Sequence, residues 1–481
     1  MAKPSSKSIA VLGGGITGLT AAFRLTQRGH PVRLFEATNR IGGAIRTECA
    51  DGWLIEAGPN SLLAGDPAVT ALIDELGLGQ ERVAASPQAR KRYIVRNGKL
   101  MAAPLSPPAL LRSALFSTGA KFRVVRELLR RRVTRTGDVS LEEFGRDHFG
   151  QEIVDYGLNP LVGGVYAGTP KNLSARHAFP KLWQAEQTHG SLLRAQIGAA
   201  RSTAGKTPAG IISFRRGLQS LPDAIAARLP DETLLLNARV EALEAVAGSG
   251  WTVIWNDGAS SRTDAFDAVI AALPAPALAQ LRFRSHASGA KPETERRQDD
   301  HAKLAGERLL ASLDAIEHPP VSSLFLGYRR EDVAHPLDGF GILVPEMEQR
   351  SILGVLFSST LFPGRAPDGA VALTVLVGGT RSPDLAGRSK EALLATVEPD
   401  LRQLLGVRGP VVFQRHTFWP RAIPQYNLGY ERHLETMANV ERTHRRLHIG
   451  GQARDGISLP ACIAAGERLA GRISQDCVLR V

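Results

Sequence analysis

A short apolar strand, a glycine turn, an amphipathic helix and a second strand open the chain, and this run constrains the fold more than any other stretch. SIAVLG (residues 8–13) is apolar and β-rich, ITGLTAAFRLTQRG (residues 16–29) has helical spacing and ends in glycine, and PVRLFE (residues 31–36) is again a strand. Gly13, Gly15 and Gly18 form G-x-G-x-x-G between the first strand and the helix, with Gly14 inside the turn. Such a backbone turns tightly and lets an anion approach the helix N-terminus, where unpaired N–H groups and the helix dipole favour negative charge. Glu36 ends the second strand, placed to accept from both hydroxyls of an adenosine ribose and to repel a 2′-phosphate. Ala37 belongs to the same candidate set. The pattern predicts an α/β fold built on a Rossmann-like domain that binds a dinucleotide, and leaves NAD and FAD both open.

At 481 residues the chain is too long for one core and suggests two to four domains. With 43% hydrophobic and 22% charged residues it has ordinary globular composition. The three cysteines, Cys49, Cys462 and Cys477, are too far apart for a disulfide framework or a C-x-x-C site, and the histidines do not pair at ligand spacing, so no metal is expected. The polar N-terminus lacks the apolar core of a signal peptide, and AVIAALPAPALA (residues 268–279) is too short and proline-broken to span a bilayer. A net charge of +12 favours acidic partners, but no zinc-finger, leucine-zipper or RNP-like pattern accompanies it, so nucleic acid is not expected.

Residues 104–208 read as mainly helical, with a cap at Asp138 to Ser140 before LEEFG. LLLNARVEAL, WTVIW and FDAVIAA read as strands returning to the first domain. Residues 285–305 are polar, without apolar periodicity, and read as an exposed insertion. SSLFLGY, FGILVP, SILGVLFSS and AVALTVLVGG then read as strands of a second, β-rich domain.

What separates FAD from NAD is RIGGAIRT (residues 40–47), four positions after Glu36, which resembles the R-x-G-G motif of the flavin amine oxidase superfamily. In that family the motif brings glycine backbone and an arginine to the cofactor, which implies non-covalent FAD held by Arg40, Gly42, Gly43 and Ala44. Three further segments narrow the resemblance. EAGPNS (residues 56–61) is similar to the G-P-N-S turn of the oxygen-dependent porphyrinogen oxidase family, NPLVGGVYAGTPKNLSARHAFPK (residues 159–181) to its long G-V-Y-A-G signature, and FWPRAIPQYNLGY (residues 418–430) to its W-x-x-A-I-P-Q-Y segment. Thr169 and Gln452 depart from the family's usual residues.

The resemblance implies an FAD-binding domain of residues 1–85, 209–275 and 436–481, a substrate domain of residues 86–103 and 276–435, and a helical membrane-associating domain of residues 104–208, in a p-hydroxybenzoate hydroxylase-like arrangement. It places Gly58, Pro59, Asn60 and Ser61 under the isoalloxazine ring, the Val240 backbone on the adenine, Trp419 near the ring, and Ile457, Ser458 and Leu459 where the C-terminal segment meets the flavin. Arg92 becomes a propionate anchor, Leu343 and Leu356 sandwich a macrocycle, and Leu376 stands where some relatives carry a phenylalanine that stacks on it. The implied reaction is hydride transfer from protoporphyrinogen IX to FAD, with molecular oxygen reoxidising the flavin. Coproporphyrinogen III oxidation to coproporphyrin III and other flavin amine oxidase chemistry are the alternatives. No protein side chain is singled out as catalytic. KFRVVRELLRRRVTR (residues 121–135) sets Phe122, Val125 and Leu128 or Leu129 opposite a basic face, so this helix is expected to lie on anionic lipid at the inner face of the cell membrane, in a cytoplasmic protein. A homodimer is left open.

Overall fold

The computed structural model describes residues 7–132, 135–202, 210–246, 250–284 and 306–478; the polar stretch 285–305 lies outside the described residues. Ile9–Leu12 runs down the middle of a five-stranded parallel sheet, between Val32–Phe35 and Ala268–Ala271, with Leu234–Leu235 and Leu447–Ile449 at the edges. Its four residues are fully buried. That follows from both faces being covered, as parallel sheets require. Ile9 and Val11 face the helix Ile16–Gln27 and the C-terminal helix Leu459–Val478. Ala10 and Leu12 face a second sheet made of Ser261–Phe266, Gly250–Asn256, Arg239–Val246 and Arg282–Arg284. Of the segments expected to return to the first sheet, Leu234–Leu235 and Ala268–Ala271 do so. Arg239–Val246 and Gly250–Asn256 instead pair with each other as an antiparallel layer behind it.

The helix Ile16–Gln27 stops where Gly29, at φ +79°, lets His30 N–H reach back to the Leu25 carbonyl at 3.1 Å. The C-terminal helix crosses it closely: a side chain on Gly466 would stand 2.6 Å from the Thr17 carbonyl, and Thr17 Oγ1 donates to Cys462 O at 3.1 Å. Both helices therefore start at the same edge of the sheet.

A seven-stranded sheet forms the other large layer. In order it holds Phe413–Trp419, Val321–Arg329, Ala370–Gly378, Ile352–Leu356, Gly339–Leu343, Lys91–Arg96 and Lys99–Ala102. One face carries Leu324, Ile342, Val355 and Val375 against the helix Lys390–Leu405. The opposite face meets the first domain at the hairpin Thr47–Ala50/Trp53–Glu56, where Trp53 stacks on Phe413 with ring centroids 5.1 Å apart.

Among the described residues between Lys99–Ala102 and residue 202 the regular elements are helices, from Pro107–Arg112 to Leu192–Ser202. Among the described residues, no helix is long and apolar enough to cross a membrane. The basic helix expected over residues 121–135 is shorter. It runs Thr118–Glu127, capped by Ser117 Oγ, and gives way to a turn at Leu128. The physical reason lies in Glu127, whose buried carboxylate accepts from Ser191 Oγ at 2.8 Å and from the Leu192 and Leu193 N–H groups at 2.7 and 3.2 Å. It thus caps a distant helix, Leu192–Ser202, where a negative charge is favoured. His148 joins the same knot, with Nδ1 2.9 Å from Glu127 Oε1 and Nε2 3.0 Å from Glu186 Oε1.

Burial opposes the Glu127 charge, yet hydrogen bonds from His148, Ser191, Leu192 and Leu193 outweigh it and hold this carboxyl below its ordinary range. A depressed acid pKa adds stability that is present above the unfolded-state value and is lost as pH falls through the folded one. Glu127→Gln is therefore expected to weaken the helical segment at neutral pH by about 1.5–3 kcal/mol, and the difference from wild type should shrink on acidification. Hydrogen exchange of the Leu192 and Leu193 amides measures this; a difference independent of pH would remove the charge from the account.

Candidate functional site

The glycine turn is built by exclusion. A side chain on Gly13 would stand 2.6 Å from the Ala272 carbonyl, and one on Gly18 would stand 2.0 Å from the Gly13 carbonyl. Gly13 also sits at φ +104°. Gly15 differs, since a Cβ there would meet no protein atom within 4 Å. It is the N-cap of Ile16–Gln27 and supplies no side-chain cap, so the first-turn N–H groups lack helical partners. Open space at an uncapped helix start is what a pyrophosphate needs.

Glu36 is partly committed. It accepts from Gly14 N–H at 2.8 Å and from the Thr38 N–H and hydroxyl at 2.9 and 2.8 Å. A carboxylate offers about four acceptor sites, so one direction remains for a ribose while the others brace the loop. Beside it opens a cleft of about 610 Å³, lined among others by Leu12, Phe35, Ala37, Val240, Leu273 and Gln452. The Val240 position expected for adenine therefore borders the same hollow as Ala37.

The R-x-G-G loop is stitched onto the glycine turn. Gly42 N–H donates to Gly14 O at 2.8 Å, and a Cβ on Gly43 would come within 3.2 Å of Gly15 Cα. Arg40 was expected to reach toward the cofactor phosphates. Its guanidinium instead donates to the carbonyls of Ile41, Ile45 and Gly43 at 3.2, 3.0 and 2.5 Å, closing its own loop. The arginine thus shapes the backbone of its own loop.

Farther along, Gly58 rests on Ala44, where a Cβ would lie 2.0 Å from the Ala44 carbonyl. Trp419 Nε1 donates to Ala57 O at 2.9 Å, and Asn60 Nδ2 donates to Gly58 O at 3.0 Å. Gly58, Pro59, Asn60 and Ser61 are all half-buried. Ile457, Ser458 and Leu459 lie at the start of the C-terminal helix, where Ser458 Oγ accepts from Ala461 N–H at 3.3 Å. A cleft for an adenosine, an open helix start for a pyrophosphate and a glycine-lined turn beyond it follow one another along the sheet edge. These residues fit FAD, and the fold and site define an FAD-dependent oxidoreductase.

The comparisons with known proteins agree. Residues 16–474 match the flavin containing amine oxidoreductase family. The chain is 34% identical to protoporphyrinogen oxidase 2, chloroplastic/mitochondrial, of Arabidopsis thaliana, over 96% of this chain and 92% of that one. It is 25% identical to the coproporphyrinogen III oxidase of Staphylococcus aureus, over 96% and 98% respectively. A reduced UDP-galactopyranose mutase shares the fold, with a TM-score of 0.71 at 18% identity, covering 98% of this chain and 96% of that chain. The protein belongs to the flavin containing amine oxidoreductase family.

On the seven-stranded sheet, register brings the four expected substrate residues to one face. Arg92 pairs with Gly341, Gly341 with Leu356, Leu343 with Gly354, and Gly354 with Leu376. Directly paired residues share a face, so all four lie opposite the Ile342 and Val355 core. The glycines between them add no side chain. Leu343 packs toward Leu115 and Phe116 of the helical segment, Leu356 against Phe340 and Leu361, and Leu376 against Ala167 and Ala422. The three leucines thus rim the face without packing as one cluster.

A buried ion pair escapes the sequence reading. Glu56 accepts from Leu218 N–H at 2.8 Å and Thr47 Oγ1 at 2.7 Å, and Arg365 Nη2 stands 3.5 Å from Glu56 Oε1 while donating to Ser213 Oγ at 2.6 Å. Burial pushes the Glu56 carboxyl up and the Arg365 guanidinium down. The pair ties the hairpin that precedes Gly58 to the loop before Ala370–Gly378. No local pattern marks either residue, since they are far apart in the chain.

Gly15→Ala and Gly18→Ala separate the roles of the two turn glycines. Gly18→Ala is expected to lose both FAD and thermal stability, because the turn itself cannot close. Gly15→Ala should keep the melting temperature of the FAD-free protein yet fail to retain FAD, since its methyl group intrudes only into the phosphate space. Normal flavin content in purified Gly15→Ala, read from absorbance, would place the pyrophosphate elsewhere.

Proposed function

We propose that the protein oxidises protoporphyrinogen IX to protoporphyrin IX in porphyrin biosynthesis, with molecular oxygen as the final acceptor. The observation that carries this reading is Arg92. Its guanidinium lies over the Phe340 ring, 5.0 Å from the centroid, is half-buried, and pairs with no carboxylate among the described residues. A cation without a counter-charge, on one sheet face with Leu343, Leu356 and Leu376, suits a flat apolar ligand that carries carboxylates. The names of the Arabidopsis thaliana and Staphylococcus aureus relatives support the substrate class, and the latter keeps coproporphyrinogen III as the second reading.

Bound FAD supplies a two-electron acceptor for hydride from a bridging methylene carbon. The chain's own work is positional. Arg92 fixes a propionate by a bidentate contact, the leucines hold the ring plane, and apolar surroundings exclude water. Glu36, Arg40 and the glycine backbone fix the cofactor's position. Proto- and coproporphyrinogen assayed side by side for fluorescent product decide between the two substrates.

Membrane association is part of this proposal. Phe122, Val125 and Leu129 are 68%, 47% and 78% exposed, and the buried stripe of their helix is Ala120, Val124 and Glu127. Apolar side chains flanked by Arg123, Arg126 and Arg130 suit the interface of an anionic bilayer and support a peripheral position on the inner face of the cell membrane.

Arg92→Ala is expected to lower kcat/KM on the preferred porphyrinogen at least about tenfold, since a charge-assisted contact is worth about 1.5–3 kcal/mol. Flavin content and melting temperature should stay near wild type, and Arg92→Lys should rescue only in part because a point charge lacks the planar fork. Full activity of Arg92→Ala on both porphyrinogens would end the propionate assignment.

A further inference from the structure

The helical segment holds a second basic feature that flavin chemistry does not use. A cleft of about 370 Å³ opens between Thr118–Glu127 and the last turn of Leu141–Phe149. Arg123 and Arg126, one turn apart on the helix, line one side with Arg130 from the turn that follows it, and Arg146 lines the other. Gly150, at φ +83°, makes room for this arrangement: a side chain there would stand 2.5 Å from Arg123 Nη1.

Charge in the cleft is unbalanced. Two carboxylates lie in its wall, Glu127 and Asp147, and both are engaged elsewhere. Glu127 serves His148, Ser191 and the start of Leu192–Ser202, and Asp147 Oδ2 takes Arg135 Nη2 at 2.8 Å. His148 spends both ring nitrogens on Glu127 and Glu186. Among the described residues, Arg123, Arg126 and Arg146 pair with no carboxylate. Arg130 is partly engaged: its Nη1 donates to the Asp147 carbonyl and its Nη2 stands 3.6 Å from Glu186, while its Nε is buried without a partner. Four guanidiniums therefore converge on one hollow, three of them with no counter-ion and the fourth with an unused buried donor.

We propose that this cleft binds a phosphate monoester. The chemistry selects it: such a group carries about −1.5 to −2 charge at neutral pH and several strong acceptor oxygens, which matches several forks converging from two helices. A single carboxylate or a phosphodiester would leave most of that positive charge unanswered. The group can belong to a lipid headgroup, held beside the exposed Phe122 and Leu129, or to a small soluble molecule. This inference stands independently of the porphyrinogen reading.

The FAD-loaded protein is titrated with glycerol phosphate, with phosphatidylcholine vesicles containing phosphatidic acid, and with vesicles of equal lipid content containing phosphatidylglycerol, a phosphodiester. Phosphatidic acid vesicles should bind more tightly than phosphatidylglycerol vesicles. Arg126→Ala and Arg146→Ala, both at exposed positions, should each weaken that binding about tenfold or more. Arg131→Ala and Arg132→Ala, outside the cleft on the same segment, should change it less than about twofold, the loss expected of one charge felt only through a screened surface. Saturable glycerol phosphate binding that is lost in the same two cleft variants assigns the site to a soluble phosphate; preference confined to vesicles assigns it to a headgroup. Equal losses from cleft and control variants, equal binding of the two anionic lipids, or no binding of any probe overturns the proposal. Porphyrinogen oxidation with detergent-dispersed substrate should be unaffected by the cleft variants, which separates this test from that of the active site.

Discussion

The structure depends on one close approach, the contact of the turn between Ile9–Leu12 and Ile16–Gln27 with the R-x-G-G loop. Gly13 and Gly18 fold the turn back on itself, and Gly42 N–H donates to Gly14 O to lock the second loop onto it. Backbone lies against backbone with no side chain between. This leaves the start of a helix both uncapped and uncovered, a local concentration of positive partial charge that a pyrophosphate can complete. Glu36 and Arg40 both brace this backbone, the first holding Gly14 and the second its own loop carbonyls. Loops of this kind hold their shape because their polar side chains are already satisfied.

From that centre the chain builds outward in layers. The C-terminal helix Leu459–Val478 packs on Ile16–Gln27 through Gly466 and Thr17, so the last part of the chain completes a site begun by the first. The Gly58 turn rests on Ala44 and is held from the other side by the Trp419 indole. Trp419 ends a strand of the seven-stranded sheet, and the Glu56–Arg365 pair joins the same two layers. A buried ion pair of this kind is weak evidence for added stability, because desolvation offsets much of its attraction; what it supplies is register between the layers. That register fixes how the sheet face bearing Arg92 stands relative to the Gly58 turn.

The helical segment follows a different logic. Its buried knot of Glu127, His148, Glu186 and Arg135 uses charge to do what apolar packing does elsewhere, and every partner is hydrogen-bonded. Concentrating the acids inside leaves the arginines outside without partners. The outer surface therefore combines exposed Phe122, Val125 and Leu129 with unpaired guanidiniums, the composition on which the proposed membrane contact rests.

Sequence alone determined the features whose cause is local. The G-x-G-x-x-G turn, Glu36 at the end of the next strand, the R-x-G-G loop and the apolar strands of the second domain each follow from steric and hydrophobic patterns within a few residues. FAD and the family are legible for the same reason. Only the tertiary structure decided matters set by contacts between distant residues. It ended the basic helix at Glu127, whose carboxylate caps a helix more than sixty residues away. It turned Arg40 inward, placed Arg239–Val246 in a separate layer, and brought Glu56 to Arg365. It also set Arg92 on one face with Leu343, Leu356 and Leu376. Strand register and buried charge pairing depend on which segments meet in space, and a local pattern carries no record of that meeting.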